Sequence, residues 1–482
     1  MRLSKKDYDA IVIGSGPNGL AAAITLQQAN LRVLLVEAKK TIGGGLRSAK
    51  FTLPGFSHDV CSAVHPMAAV SPFFQSVPLN EHGLEFINPP ILLAHPLDNG
   101  NAVVFRRSMQ QTAEALAEDY HAYLDLIKPV VDDWPGIVRN VLGPLHFPKR
   151  PVAMARFGIR ALRSANHVAK RFHSVQAKAL WGGMAAHAMQ PLSCSTTSAV
   201  ALVLMAAGHT GGWPIAKGGS NAIADALASY FVSLGGVIET DFYVRSLSQL
   251  PSSNAILFDV TPKQLLDIAG HKFSSLYRWQ LKRYRYGMGV FKIDWALDRP
   301  IPFAAVDCLH AGTIHLGNTL GEIATSEELT SQGKHPEKPF VLLAQPSLFD
   351  SSRAPDGKQT AWAYCHVPNG SKEDMTDRIE KQVERFAPGF RDTIAARHVM
   401  NTEQMEEYNS NYVGGDINGG LMNLSQLFTR PALRLSPYRT SAKGIYICSS
   451  STPPGGGTHG MCGYSAARKA LRDIFKKTAA AV

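Results

Sequence analysis

Three glycines at a fixed spacing near the N-terminus are the residues of this chain best suited to hold a phosphate. Gly14-Ser-Gly16-Pro17-Asn18-Gly19 follows the apolar run Tyr8-Asp-Ala-Ile-Val-Ile13. In such a turn Gly14 permits the tight bend, Gly16 lets the backbone approach a pyrophosphate, and Gly19 lets a helix pack closely on a strand. The helix expected over Leu20–Ala29 then offers N–H groups to an anion, and Pro17 suits its first turn, where a missing N–H costs nothing. Leu31-Arg-Val-Leu-Leu-Val36 reads as a second strand closed by Glu37, whose carboxylate is placed to accept bonds from both ribose hydroxyls, with Ala38 beside it. A bare G-x-G-x-x-G is a weak signal. Set between strand and helix, with an acid closing the second strand, it specifies dinucleotide binding.

The elements that must position these residues are those of a large α/β protein. The 482 residues imply two or three domains, and 45% apolar against 18% charged excludes a disordered chain. No apolar run approaches the ~18 residues needed to span a bilayer. The residues Met1–Asp9 lack the apolar stretch of a secretory signal. Cys61, Cys194, Cys308, Cys365, Cys448 and Cys462 are scattered, with no pair two to four residues apart, so neither a zinc ribbon nor a dithiol centre is expected, and no metal site. Six reduced thiols in a cytoplasmic protein are the expectation.

The formal charge of +11 is unevenly spread. No Asp or Glu occurs from Trp134 to Ala224, while ten Lys and Arg do. Within that stretch Arg156, Arg160, Arg163, His167 and Lys170/Arg171 recur at helical steps opposite Phe157, Ala161, Ala165, Val168 and Phe172, which predicts one basic amphipathic helix over 152–175. Two uses are open: a solvated outer face, or peripheral contact with anionic lipid at the inner face of a membrane. Nucleic acid is not an expected partner, because the helix lacks interleaved Tyr or Trp and no nucleic-acid motif accompanies it.

Two glycine-rich stretches extend the cofactor signal. Past Glu37 comes Gly43-Gly44-Gly45-Leu46-Arg47. Near the C-terminus the strand Gly444-Ile-Tyr-Ile-Cys448 leads into Ser449-Ser-Ser451-Thr-Pro-Pro-Gly455-Gly-Gly457-Thr-His459-Gly460-Met461 and a helix expected to run to the end. Only 22 residues follow Gly460, too few for a second βαβ unit. The first stretch resembles the second fingerprint of FAD enzymes in the glutathione-reductase-like superfamily, and the last resembles the C-terminal flavin segment of phytoene desaturases. Pro54-Gly-Phe-Ser-His58-Asp59, Ala216-Lys-Gly-Gly219 with Gly235-Gly236, Asn254-Ala-Ile-Leu-Phe-Asp-Val260-Thr-Pro262, Gly414-Gly-Asp416 and Arg430-Pro431 extend the likeness over most of the chain. The chain thus resembles the phytoene desaturase-like FAD oxidoreductases, and within them the subgroup of pyridine nucleotide-disulphide oxidoreductase domain-containing protein 2. It departs at Gly45, where many members have Arg, at Ser449, where they have Gly, and in lacking a CxxxxC dithiol.

This resemblance implies a Rossmann-type, glutathione-reductase-like FAD domain built from 1–75, 216–270 and 431–482. A helical, basic cap over 76–215 and a mixed-sheet substrate domain over 271–430 are woven between those parts. FAD contacts are implied for Gly43, Gly44, Gly45, Leu46, Arg47, Val244, Ser451, Gly460 and Met461, with a surface ion pair as the alternative for Arg47. His459, Tyr464, Asp416 and His65 are the implied proton-handling residues, and His58 and Asp59 are read as buried partners of each other. The expected reaction is dehydrogenation of an apolar, polyene or lipid-like substrate by hydride transfer to flavin N5, with oxygen or a quinone as electron acceptor. A flavin amine oxidase, a redox-neutral isomerase and a prenyl-lipid escort are the alternatives.

Overall fold

The computed structural model describes residues 7–144, 146–427 and 429–478. The first six residues and the last four, on which the leader and terminal-helix expectations partly rest, lie outside it. The strand β1 (Ala10–Ile13), the helix α1 (Pro17–Gln27) and the strand β2 (Val33–Val36) form the expected strand–turn–helix–strand unit. Both strands are buried along their whole length, the mark of parallel strands covered on two faces. They sit in a five-stranded parallel sheet, in the order Ile445–Ile447, Ala255–Phe258, β1, β2 and Val237–Glu239. Two strands far along the chain thus complete a sheet that the N-terminus begins.

The C-terminal helix Met461–Ala470 lies against α1, and a short π-helical turn, Leu471–Phe475, ends it. Gly463 makes the crossing possible: a side chain there would overlap the carbonyl oxygen of Asn18. No spacing rule singles out that glycine.

A second sheet has seven strands, in the order Ile394–Met400, Gly289–Leu297, Gln359–Val367, Val341–Ala344, Ala311–Leu316, Ile91–Pro96 and Ala102–Phe105. All neighbours are antiparallel except Ala311–Leu316 with Ile91–Pro96. The last two strands correct the reading of 76–215 as helical, since that segment supplies one edge of this sheet. Alternation gives the sheet two unlike faces. One carries Ile293, Trp295, Leu343, Ala363 and Cys365 into a core with the helix Thr376–Phe386. The other carries Thr313, His315, Leu342, Trp362, Tyr364 and Lys292 toward an interior cavity and the helices Val175–Ala186 and Thr197–Gly211.

The basic stretch is not one helix. It is Pro151–Ala161, then Ala165–Ala169, then Val175–Ala186. Ser164 is extended and caps the second piece by accepting from the His167 N–H, while the Thr197 hydroxyl accepts from Ala165 N at 2.8 Å. Asp119 accepts from the N–H groups of His173 and Ser174, both at 2.8 Å, and stops the segment again. Polar side chains that satisfy freed N–H groups outcompete continuation of the helix. Among the described residues no helix is long and apolar enough to cross a membrane.

Candidate functional site

One cavity of about 370 Å³ runs from the glycine turn into the space beneath the seven-stranded sheet. At the nucleotide end it is lined by Gly14, Gly16, Pro17, Asn18, Glu37, Ala38, Gly44, Gly45, Leu46, Arg47 and Val244. Gly14 has φ of 98°, and a side chain at Gly19 would overlap the Gly14 carbonyl, so turn and helix are locked together. Gly43, with φ of 110°, stands behind the wall and donates its N–H to Ser15.

Glu37 is buried and fully engaged. It accepts from Ser15 N–H at 3.0 Å, the Ser15 hydroxyl at 2.5 Å, Lys39 N–H at 2.9 Å and Arg47 Nη2 at 3.0 Å. Arg47 is therefore not a surface residue: it lines the nucleotide end of the cavity while its guanidinium is held by Glu37. It is buried, bridges Glu37 to the Thr41 carbonyl, and lies 5.6 Å from the Tyr408 ring centroid.

The turn holds a residue that the spacing arguments passed over. Asp259, at the end of Ala255–Phe258, lines the cavity and accepts from Gly19 N–H at 2.9 Å; a side chain at Gly16 would come within 2.7 Å of its Oδ2. Burial, with the nearby charge of Glu37, pushes its carboxyl up to about 7. Its place one residue past a buried parallel strand, facing the glycine turn, was the available signal.

FAD fits these residues. The Asn18 side-chain oxygen is buried in the cleft with no partner, and Gly44 and Gly16 face each other so closely that a side chain at Gly44 would lie 3.1 Å from the Gly16 Cα. Bare backbone and an orphaned acceptor are what a long polar cofactor requires.

The expected proton-handling residues separate. His65 lines the cavity, 2.9 Å from the Ser220 hydroxyl, and burial lowers it to about 4. His459, Tyr464 and Asp416 are not among the lining residues. The Nδ1 of His459 accepts the Met461 N–H at 3.1 Å and so caps the C-terminal helix; burial lowers this imidazole to about 4 as well. Tyr464 is buried 6.1 Å from Phe73, with Arg468 over its ring. Asp416 accepts from Gly287 and Asn418 N–H groups, both at 2.7 Å, and burial raises its carboxyl. Of the C-terminal loop, Ser450, Gly457 and Thr458 reach the cavity; Ser451, Gly460 and Met461 lie behind them, with Ser451 bonded to the Gly419 carbonyl at 2.7 Å. Tight Gly/Pro loops reverse side chains within one residue, which spacing does not reveal.

His58 and Asp59 are not mutual partners, because adjacent strand residues face opposite sides. Asp59 pairs with buried Arg353 at 2.9 Å, which holds its carboxyl below the usual range despite burial, and His58 bonds Thr52 at 2.8 Å.

At the substrate end the walls are Met67, Leu204, Trp213, Thr313, Leu342, Trp362, Tyr364 and His187. The only carboxylates lining the cavity among the described residues are Glu37 and Asp259, both at the nucleotide end. No group of His, Cys, Asp and Glu among the described residues could hold a metal ion.

A dinucleotide cleft continuous with a largely apolar lobe is the architecture of a flavin oxidoreductase with an FAD-binding α/β fold. The model of the family described as flavin containing amine oxidoreductase matches residues 18–265, just over half of the chain, and the chain belongs to that family. It is 25% identical to pyridine nucleotide-disulfide oxidoreductase domain-containing protein 2 of Rattus norvegicus, over 98% of this chain and 94% of that protein. It is 24% identical to the lycopene-forming phytoene desaturase of Paracoccus sp. strain N81106, over 94% and 95% respectively. An oxidoreductase from Methanosarcina mazei shares the fold with a TM-score of 0.64 at 15% identity, covering 97% of this chain and 100% of that one. The protein is an FAD-dependent oxidoreductase of phytoene desaturase-like type.

Proposed function

We propose that this enzyme dehydrogenates an apolar, lipid-like substrate and passes the electrons to oxygen or a quinone. Its FAD domain is read as glutathione-reductase-like. One observation carries the proposal: the glycine turn and Glu37 open into the same cavity as a lobe walled by Met67, Leu204, Trp213, Leu342 and Trp362. Bound FAD supplies the two-electron chemistry at N5. The chain's own residues do the rest. The apolar walls exclude water and orient the C–H bond. His65 and His187, held neutral by burial at about 4 and about 3, are lining imidazoles able to take a hydrogen bond or a transient proton.

The Trp362–Tyr364 edge-to-face pair, 5.2 Å between centroids, would also suit an alkylammonium, as the amine-oxidase alternative requires. The lack of any carboxylate at that end favours the uncharged substrate. The test is the absorption spectrum of the purified protein, followed by anaerobic addition of a lipid panel and an amine panel. Bleaching by lipids supports the proposal. Bleaching or peroxide release with amines alone replaces it, and turnover without flavin reduction indicates an isomerase.

Peripheral contact with anionic lipid belongs to the same reading. The segment 146–163 exposes Phe147, Val152, Ile159 and Leu162 beside Lys149, Arg156 and Arg163. Apolar side chains projecting among cations are the composition of an interfacial helix.

A further inference from the structure

The substrate lobe is apolar except at one corner, beneath the strands Ala311–Leu316 and Gln359–Val367. His187, at the end of the helix Val175–Ala186, places its Nε2 3.0 Å from the Nε2 of buried His315. His315 lies edge-on to Phe340 at 5.4 Å, Phe340 lies 6.3 Å from His366, and His366 lies 5.8 Å from the Tyr364 ring. In the sheet register His315 is level with Leu342 and Leu342 with Tyr364, so Tyr364 and His187, which packs on His315, lie over the same sheet face two strands apart, and both line the cavity.

Some polar atoms behind that corner are held: His366 Nδ1 by the Glu327 carboxylate at 2.8 Å, and the Thr313 hydroxyl by Trp213 Nε1 at 2.9 Å. His366 Nε2, His315 Nδ1 and Trp362 Nε1 are buried with no partner among the described residues. In front, Tyr364 and His187 line the cavity, and neither the Tyr364 hydroxyl nor the His187 Nδ1 has a hydrogen bond among the described residues. A lobe meant only for hydrocarbon would place Phe and Leu at these positions, because unpaired polar atoms facing it are costly.

Charge narrows the chemistry further. Neither Lys, Arg, Asp nor Glu lines this end of the cavity, and Lys292, the cross-strand neighbour of Tyr364, is neutralised by its ion pair with buried Asp294. Burial lowers both imidazoles and raises the Tyr364 hydroxyl, so all three stay neutral through the ordinary pH range. The corner offers an O–H donor and an imidazole nitrogen without a balancing charge, which suits an uncharged oxygen and disfavours a carboxylate or an ammonium.

We propose that His187 and Tyr364 form a subsite for a neutral oxygen function, a hydroxyl or a carbonyl, carried by an otherwise apolar substrate. The inference rests on the dehydrogenase reading and sharpens it: the substrate is an oxygenated lipid rather than a pure hydrocarbon. His315 acts as a positioning residue, holding the His187 ring through its Nε2.

Five probes with the same fifteen-carbon chain test this: farnesene, farnesol, farnesal, farnesoic acid and farnesylamine, each titrated into the FAD-loaded protein and followed by perturbation of the flavin spectrum. Farnesol or farnesal should bind at least tenfold tighter than farnesene and than both charged probes. Tyr364→Phe and His187→Leu should each lower that preference to threefold or less while moving farnesene affinity by under twofold. Equal binding of farnesene, tighter binding of a charged probe, no binding of either oxygenated probe, or a preference that survives both substitutions would overturn the subsite. Anaerobic bleaching keeps the two readings apart. Bleaching by farnesene without preference leaves the dehydrogenase standing and removes the subsite. Tight farnesal binding that never bleaches the flavin leaves the subsite and removes the dehydrogenase.

Discussion

Replacing Asp259 by Asn should change how both stability and FAD affinity depend on pH. Asp259 is buried, accepts from Gly19 N–H at 2.9 Å, and shares the cleft with Glu37. Its carboxyl is raised from 3.8 to about 7, chiefly by burial. Between those values the folded protein holds a proton that the unfolded chain has released, so stability present below about pH 4 is lost as the pH climbs toward 7. A difference of roughly 3 pKa units corresponds to about 4 kcal/mol. Asn keeps an oxygen for Gly19 and carries no charge, so the variant should unfold with a shallower pH dependence over that window. Binding should follow the same group. FAD adds phosphate charge at the glycine turn, which favours the protonated acid, so binding is coupled to proton uptake above pH 7. Wild-type Kd should then rise with pH by up to about tenfold per unit, while that of Asp259→Asn stays flat. Quenching of FAD fluorescence on titration with apoprotein at pH 6, 7, 8 and 9, with thermal melts from pH 4 to 8, measures both. Identical pH profiles for the two proteins would refute the reasoning.

Three further outcomes are expected. Glu37→Ala leaves buried Arg47 without its partner and should cost about 3–5 kcal/mol of stability, read by denaturant unfolding, and should weaken FAD binding in the same protein. His459→Ala removes the acceptor for Met461 N–H and should cost about 1 kcal/mol, as the loss of a helix cap does, yet leave the rate of anaerobic flavin reduction within threefold; a hundredfold fall would return His459 to the reacting centre. Flotation should show binding to anionic but not neutral vesicles, weakened by salt and by Arg156→Glu with Arg163→Glu, because each cation near such a surface contributes about 1 kcal/mol; equal flotation on both vesicle types would leave 146–163 as a solvated face.

By itself the sequence determined dinucleotide binding and the first strand–turn–helix–strand unit. The reason is physical: Gly14, Gly16, Gly19 and Glu37 act through backbone conformation and local spacing within 24 consecutive residues, and such constraints are written directly in residue type. The parallel strands Ala10–Ile13, Val33–Val36 and Ala255–Phe258 were legible as short, wholly apolar runs, whereas Val237–Glu239 ends in an acid and is largely exposed. Tertiary structure alone decided what each polar side chain meets. Arg47 turns to Glu37 because burial leaves it no solvent, and Asp259 reaches Gly19 across 240 positions of sequence. The segment 152–175 reads as one helix by periodicity, yet it breaks where Ser164, Thr197 and Asp119 offer hydrogen bonds, two of them from outside the segment. His187 meets His315 and lines the same cavity as Tyr364 only because a helix crosses the seven-stranded sheet there, and no local pattern encodes that crossing. Local geometry chose a dinucleotide; long-range packing chose which side chains line the rest of the cavity.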